Sequence, residues 1–232
     1  MNGDRRDGER PLGRFVGSGP EPVPVPPPTP PETVFLVDDD SGVLKGISRL
    51  LRSAGLSVAA FSSPREFLSA LSGPAPGCLV LDVAMPEISG LELQRELAAR
   101  GCELPVVFLT GRGDVPMCAR AMKDGAVDFL TKPVDRDDLL RAVRAALGRD
   151  RLARDERAGM ATIRARLALL TPREHEVLRH VISGALNKQI ASRLGTVEKT
   201  IKVHRARVMA KMQAESVAEL VRMAERAGVR QA

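Results

Sequence analysis

The amino-acid sequence predicts an α/β domain with a doubly wound parallel sheet, followed by a small all-α domain. In the first two thirds of the chain, short apolar runs alternate with segments whose apolar residues recur at helical spacing. Beyond residue 170 every segment has the helical pattern, and turn signals separate the segments. The 232 residues are enough for two domains that each bury a core.

Four apolar runs in the first domain are predicted strands, and polar residues follow each of them. Because parallel strands place their carboxyl ends at one edge of a sheet, we expect these polar side chains to lie close together. Five strands alternating with five helices predict the flavodoxin-like strand order 2-1-3-4-5. The runs 34–37, 79–81, 106–109 and 127–130 lead into Asp38 and Asp39, Asp82, Thr110, and Lys132, respectively.

Helices of this domain are predicted from apolar spacing and from residues that favour helix ends. Gly55 ends the first helix, Ser63 opens the second with a capping box, and Asp135 caps the last. The helices are expected at 43–54, 64–71, 90–99, 115–123 and from 136 to about Gly148.

The predicted strand ends carry a set of side chains that suits phosphoryl chemistry. Clustered carboxylates repel one another, and oxygen ligands alone suit a hard cation such as Mg²⁺. Asp82 would then be a nucleophile that accepts a phosphoryl group as an acyl phosphate. Lys132, the Thr110 hydroxyl and a backbone N–H near Gly111 could stabilise charge on the transferring group.

These residues, in this order, resemble the receiver domain of two-component response regulators over residues 33–148. The run 109–117, together with 125–129, is similar to the FixJ-type subgroup. One departure is Val134, because an aromatic residue often follows the Lys-Pro pair in the family.

The resemblance implies a role for each residue at the strand ends. Asp82 corresponds to the phosphoacceptor, and Lys132 to the lysine that contacts the phosphoryl group. Thr110 and Phe129 match the family's two switch residues, which change position when the receiver is phosphorylated. The implied cofactor is Mg²⁺, and its ligands are the carboxylates of Asp38, Asp39 and Asp82 and the backbone carbonyl of Ala84.

The net charge of +6 is distributed unevenly along the chain. Residues 149–232 carry 18 Lys and Arg against 9 Asp and Glu, a net charge of +9, whereas 1–32 and 33–148 carry −1 and −2. This excess indicates a polyanionic partner for the last third, although a solvated, charged helical surface would give the same count.

Two segments flank the predicted α/β domain. Residues 1–32 are rich in Pro and Gly and are predicted to be a disordered tail with no assigned function. Residues 149–170 are predicted to be a helical linker with one apolar stripe, which packs on a domain or on a second subunit. The stripe consists of Met160, Ile163, Leu167 and Leu170.

Residues 171–232 are predicted to form a helix-turn-helix domain of four short helices. A capping box at Thr171 opens the first helix, Asn187 is expected to cap the second, and Ser216 caps the fourth. Gly195 makes the turn into the third helix, roughly 197–212. One face of this third helix is predicted to meet the core, through Val197, Ile201, His204, Val208 and Met212.

Segments 170–178, 187–191 and 199–205 resemble the LuxR-type DNA-binding domain. A receiver followed by such a domain matches the NarL/FixJ response regulators. Val197 departs from this pattern, since the family often has a Ser N-cap there, and Thr196 is expected to cap instead. Cations and one exposed aliphatic side chain suit a major groove. The candidate DNA contacts are Lys188, Lys199, Thr200, Lys202, Val203, Arg205 and Arg207.

The predicted function is that of a response regulator transcription factor. A sensor histidine kinase would phosphorylate Asp82, and phosphorylation would favour a homodimer that binds double-stranded DNA and acts with RNA polymerase. We expect no multiple-turnover enzyme. Three cysteines without paired spacing, and the lack of a signal peptide or membrane span, predict a cytoplasmic protein without a membrane partner.

Two other classes of function are weighed against this prediction. A haloacid-dehalogenase-type phosphatase also forms an aspartyl phosphate, but it needs an acid two residues after the nucleophile, where this chain has Ala84. Dinucleotide binding is suggested by Gly111 and Gly113 after a strand, but the third glycine of that motif is missing.

Overall fold

A computed structural model describes residues 31–71, 73, 75–111 and 115–230, and of residues 115–117 it describes only the backbone. The predicted tail lies outside the described residues except at its last two positions, and so do Arg112 and Gly113. Along the described chain, no helix combines the length and the apolar character needed to cross a bilayer.

In the part of the chain that the structure describes, five parallel strands form one sheet in the order β2-β1-β3-β4-β5, which confirms the predicted order. Central strand β3 is buried at all six positions, as expected for a strand covered on both faces. The strand order reverses between β1 and β3, so a ligand crevice is expected at their carboxyl ends. The strands are β1 (Thr33–Val37), β2 (Ser57–Phe61), β3 (Gly77–Asp82), β4 (Val106–Thr110) and β5 (Asp128–Thr131).

Helices cover both faces of the sheet. Residues of β3 alternate between the faces: Cys78 and Val80 pack with α1 and α5, while Leu79 and Leu81 pack with α2, α3 and α4. The predicted caps Ser63 and Asp135 both accept backbone hydrogen bonds at their helix starts. The helices are α1 (Ser41–Ser53), α2 (Pro64–Ala70), α3 (Gly90–Ala99), α4 (Val115–Lys123) and α5 (Arg136–Ala168).

Helix α5 runs without a break for 33 residues, so the predicted helix end near Gly148 is wrong. One glycine in a helix interior costs only about 1 kcal/mol, and no proline follows it to stop the helix. Leu147 and Asp150, on either side of Gly148, are both buried, and their packing outweighs the preference of the glycine. Residues 149–168 of the predicted linker are therefore the second half of α5.

Within the described residues, four further helices follow α5. The predicted capping box of Thr171 and Glu174 is present, and Ser216 accepts a hydrogen bond from the backbone N–H of Glu219. The helices are α6 (Pro172–Ile182), α7 (Asn187–Arg193), α8 (Glu198–Met212) and α9 (Val217–Arg226).

Two predicted caps in this domain are wrong. The N-cap of α7 is Leu186 rather than Asn187, and the N-cap of α8 is Val197 rather than Thr196. Both N-cap residues have the extended backbone that the position requires, but their side chains contain no acceptor atom. At α7 the Gln189 side chain supplies half of a capping box by accepting from the Leu186 N–H at 2.8 Å.

Residues of α5, together with Leu170 just after its end, complete the hydrophobic core of the helix-turn-helix domain. Ile163, Leu167 and Leu170 are at most 9% exposed in this core, and Met160 packs against it. The predicted apolar stripe of the linker therefore packs on the domain that follows it in the same chain.

The core-facing side of α8 is largely as predicted. Ile201, Val208 and Met212 are fully buried, and His204 is half-buried. Val197 is 65% exposed, so its predicted place on this face is wrong. The residue precedes the first turn of α8, where helical spacing no longer determines the direction of a side chain.

Candidate functional site

Three carboxylates meet at the carboxyl ends of β1 and β3. Ligand oxygens of Asp38, Asp39 and Asp82 all lie within 4.8 Å of one another. Asp38 is completely buried and Asp82 is 3% exposed, whereas Asp39 is exposed. The sheet order brings these residues together, because β1 and β3 are neighbours and end at the same edge.

Lys132 supplies a positive charge at the same point. Its ammonium lies 2.6 Å from Asp38 Oδ2 and 2.9 Å from Asp82 Oδ1. The backbone positions it, because the Lys132 N–H donates to the Thr110 carbonyl oxygen at 2.7 Å. A cis peptide bond joins Lys132 to Pro133.

Burial and charge shift the titration of these groups. Burial raises the pKa of the Asp38 carboxyl, although hydrogen bonds from Lys132 and from the Asp40 N–H act in the opposite direction. For Lys132, burial alone would lower the pKa, but the bonds to Asp38 and Asp82 outweigh it and raise the pKa above its ordinary value. The ammonium therefore stays protonated between the two carboxylates.

The donor set fits a hard divalent cation. Its members are carboxylate oxygens, two of them on buried residues, and their clustered negative charge exceeds what one lysine can balance. Ala84 lies exposed in the loop that follows β3, two residues after Asp82.

The two predicted switch residues lie on neighbouring strands. Thr110 is the last residue of β4 and is 3% exposed, while Phe129 on β5 is half-buried. The rings of Phe129 and Phe108 pack with their centroids 6.1 Å apart. Movement of the Phe129 ring would therefore change a contact inside the sheet domain.

A second set of polar residues lies on the outer face of α8. Lys199, Lys202 and Arg207 are exposed, and Val203 between them is 45% exposed. Lys202 pairs with Glu198 one turn earlier at 3.2 Å. This face presents positive charge around one aliphatic side chain, as the sequence predicts.

The remaining predicted contacts of this surface are not equally exposed. Lys188 in the first turn of α7 is exposed, and Thr200 is half-buried. Arg205 is half-buried and donates to Asn187 Oδ1 at 3.2 Å. The guanidinium thus joins α8 to α7, which the sequence pattern does not indicate.

Comparisons with known proteins agree with this geometry. Residues 34–144 match the response regulator receiver domain, and residues 168–224 match the bacterial regulatory proteins of the luxR family. Nodulation protein W of Bradyrhizobium diazoefficiens is 46% identical over 196 residues, which cover 84% of this chain and 86% of that protein. Transcriptional regulatory protein FixJ of Azorhizobium caulinodans is 46% identical over 196 residues, covering 84% and 93%.

This chain belongs to the NarL/FixJ family of response regulators. It is a response regulator transcription factor, with a receiver domain and a LuxR-type DNA-binding domain. This domain pair implies a kinase and DNA as its partners. The solved structure of the response regulator StyR has a TM-score of 0.77 and 44% identity, and covers 84% of this chain and 98% of that one. Full-length FixJ from B. japonicum gives a TM-score of 0.53 at 43% identity, covering 85% and 97%.

One residue of the receiver site escapes the sequence analysis of this response regulator. A Cβ atom on Gly90 would overlap the backbone carbonyl of Asp82, and the Gly90 N–H donates to the Val83 carbonyl oxygen at 3.0 Å. Gly90 thus lets α3 begin directly beside the candidate phosphoacceptor. The sequence marks Gly90 only as a helix start, because the close approach depends on how the loop after β3 folds back.

Proposed function

We propose that Asp82 accepts the phosphoryl group that a sensor histidine kinase carries on its phosphohistidine. The phosphorus–nitrogen bond of the donor would break as a bond forms between phosphorus and an Asp82 oxygen, and the electron pair would stay on the imidazole. The observation that supports this proposal most strongly is the meeting of three carboxylates and the Lys132 ammonium at one point.

Asp38, Asp39, Asp82 and the Ala84 carbonyl would hold the Mg²⁺ ion. When bound, the ion would offset the repulsion between the carboxylates and the incoming phosphoryl group. Lys132, already held protonated in the site, and the Thr110 hydroxyl would contact the phosphoryl oxygens. Ala84 offers no general acid, so multiple turnover of phosphate esters is not part of the proposal.

Phosphorylation would alter the receiver through its switch residues. Thr110 would move toward the phosphoryl group and Phe129 would turn inward, because only contacts that differ between the two states can shift their balance. The change would favour a homodimer that binds double-stranded DNA and acts with RNA polymerase. Residues 33–148 would carry this control and 171–232 the DNA contact, joined by 149–170.

The outer face of α8 would enter the major groove. Lys199, Lys202 and Arg207 would reach phosphates or guanine edges, and Val203 would contact a thymine methyl. Lys188 at the start of α7 and Thr200 next to Lys199 would contact the backbone of the duplex. A DNA partner and three free cysteines support a cytoplasmic location.

Replacement of the acceptor carboxylate tests the proposed chemistry. Asp82→Asn should abolish labelling of the protein by acetyl phosphate in Mg²⁺, because the amide cannot form the acyl phosphate. Asp137→Asn is the matched control, since Asp137 is exposed in the first turn of α5, and it should be labelled as the wild type is. Labelling of Asp82→Asn at the wild-type level would refute the assignment.

A further inference from the structure

Four charged residues and the backbone N–H of one glycine connect the middle of α5 to the receiver at the edge of the sheet opposite the carboxylates. These groups come from the residue before β1, the start of β3 and the second half of α5. We call this cluster the linker latch; it consists of Glu32, Gly77, Asp150, Arg151 and Arg154.

Asp150 is the centre of the linker latch. The residue is only 4% exposed although it is charged. Its Oδ2 accepts hydrogen bonds from the Gly77 backbone N–H at 3.0 Å and from Arg154 Nε at 2.7 Å. A buried carboxylate is tolerated when it is paired and hydrogen-bonded, and both conditions are met here.

Glu32 ties the start of the sheet to the same helix. Both of its oxygens accept from Arg151, at 3.0 and 2.8 Å, and one also accepts from Arg154 at 2.7 Å. Hydrogen bonds from Arg151 and Arg154 keep the pKa of Glu32 below its ordinary value, which is consistent with stable pairing. Arg154 is shared by Glu32 and Asp150, so the contacts form one network.

Gly77 holds the start of β3 close to β1. Its φ is +151°, and a Cβ atom at this position would overlap the carbonyl group of Thr33 on the neighbouring strand. From this closely packed position the backbone N–H of Gly77 donates to the Asp150 carboxylate. The link joins α5 to β3, the strand whose other end carries Asp82.

The linker latch lies outside both matched domains, except for Gly77. Glu32 precedes the receiver match at 34–144, and the three residues of α5 fall between that match and the LuxR match at 168–224. Of the latch residues, those on α5 thus belong to the segment that joins the two domains.

Only a short part of α5 lies between the latch and the core of the DNA-binding domain. The contacts of the latch extend along the helix as far as Arg154, and from Met160 onward the helix packs on the core of the DNA-binding domain. Between them lies about one helical turn, 155–159. A change in the receiver can therefore reach the DNA-binding domain through a helix that is fixed at both ends.

We propose that Asp150, Arg154 and Glu32 are positioning residues that couple phosphorylation of the receiver to DNA binding. The proposal rests on the phosphorylation control proposed above. Without the latch, the segment after Gly148 could bend or fray. A conformational change of the receiver would then not be transmitted to the DNA-binding domain. With it, the first half of the linker moves with the receiver.

The test compares operator affinity with and without beryllofluoride and Mg²⁺ in the full chain. Asp150→Asn and Glu32→Gln should each reduce the ratio of the two dissociation constants by at least about fivefold, the low end of common allosteric couplings. Labelling by acetyl phosphate should be unchanged. Glu156→Gln is the matched control, because Glu156 is an exposed carboxylate on the same helix, and its ratio should equal that of the wild type.

Hydrogen exchange supplies a readout that does not depend on DNA. Amides of 149–155 should exchange about tenfold faster in Asp150→Asn than in the wild type, while those of β3 beyond Gly77 keep their protection. Should Asp150→Asn fail to fold, Glu32→Gln and Arg151→Met alter only the more exposed half of the latch.

The outcomes separate this proposal from the one on which it rests. An unchanged beryllofluoride ratio in both latch variants, with a normal response in the wild type, overturns the latch and leaves phosphorylation control intact. An equal loss in Glu156→Gln also overturns it. A wild type that is labelled on Asp82 but shows no beryllofluoride response overturns both proposals.

Discussion

The cations of α8 are not equivalent, although the sequence gives them the same charge. Lys199 and Lys202 are exposed on the outer face, whereas Arg205 is half-buried and bound to Asn187 on the neighbouring helix. An exposed side chain can neutralise a phosphate, while one held by another helix mainly fixes the angle between the two helices. The two kinds of residue should therefore differ in the salt dependence of DNA binding.

Lys199→Ala and Lys202→Ala should each weaken binding to DNA and lower the slope of log K against log salt by about one. Arg205→Ala should weaken binding with a smaller change of slope, because its contact lies within the protein. Fluorescence anisotropy of a labelled duplex over a salt series measures both quantities. Arg222→Ala, an exposed cation on α9, should change neither. Slopes that stay constant in both lysine variants would remove these residues from the interface.

Glu174 makes the stability of the DNA-binding domain depend on pH. Its carboxylate is 2% exposed and accepts from Lys211 at 2.7 Å and from the Thr171 N–H at 2.9 Å. The Lys211 bond, followed by that from Thr171, lowers the pKa of Glu174 from 4.5 to about 2. Since the folded-state pKa lies below the ordinary value, the stabilisation is complete above pH 4.5 and is lost as the pH falls toward 2.

Glu174→Gln should remove this pH dependence. The free energy of unfolding should fall at neutral pH by an amount on the order of 2 kcal/mol, allowing for the partial exposure of Lys211. Between pH 4.5 and 2 the variant should lose less further stability than the wild type does. Urea unfolding followed by circular dichroism measures this, with Glu176→Gln, an exposed carboxylate on the same helix, as the control. Parallel acid profiles for Glu174→Gln and the wild type would contradict the assignment.

The positions of site residues at the ends of strands could be predicted from the sequence. Contacts between segments that are distant in the chain could not. Asp38, Asp82 and Lys132 meet because each ends or follows a strand of a sheet whose order the pattern predicts. The roles of Gly90 and of the contact between Arg205 and Asn187 depend on loop geometry and helix crossing. No spacing rule encodes either of these.

Among the secondary-structure elements, α8 begins without a side-chain cap. Val197 occupies the N-cap with φ −98° and ψ 152°, a conformation that suits a capping side chain, but valine has no acceptor. Its side chain is 65% exposed, so the position contributes little to the core. The start of α8 is thus less stable than it would be with a capping side chain at this position.

Val197→Ser should stabilise the DNA-binding domain by about 1 kcal/mol, because the hydroxyl can accept from the first turn of α8. The urea midpoint of the helical signal measures the effect. Val197→Ala is the matched control, since it removes the same apolar surface without adding an acceptor. If serine proves no more stable than alanine, α8 does not depend on a cap at this position.

Local signals predicted most elements, and they failed where burial competes with them. Capping side chains at Ser63, Asp135 and Ser216 mark helix starts correctly. Gly148 was expected to end α5, but the burial of Leu147 and Asp150 carries the helix through it. Sequence spacing shows where a helix can stop, whereas packing on both sides of the position determines whether it does.

At the scale of the whole molecule, α5 belongs to both domains. Its first half packs on the sheet, and its last residues complete the core of the DNA-binding domain. A boundary drawn at residue 171 from the sequence would separate that core from Ile163, Leu167 and Leu170. The domain limits of this chain can therefore be tested by fragments.

The fragment 159–232 should unfold cooperatively, whereas 171–232 should be marginal or unfolded. The shorter fragment lacks three buried side chains, and each is worth about 1.5–3 kcal/mol when fully buried. Circular dichroism at rising urea concentrations measures the difference. A third fragment, 155–232, adds only exposed residues and should match 159–232 in stability. Equal stability of 171–232 and 159–232 would show that the end of α5 is dispensable.

Because α5 is continuous, its length also determines how the DNA-binding domain is rotated about the helix axis. Each residue inserted into or deleted from 155–159 would turn everything that follows by about 100° around the helix axis and shift it by about 1.5 Å. A change of one residue would thus point the recognition helix in another direction, whereas a change of seven, close to two full turns, would nearly restore it. Chimaeric regulators that join a foreign receiver to this domain must respect this periodicity.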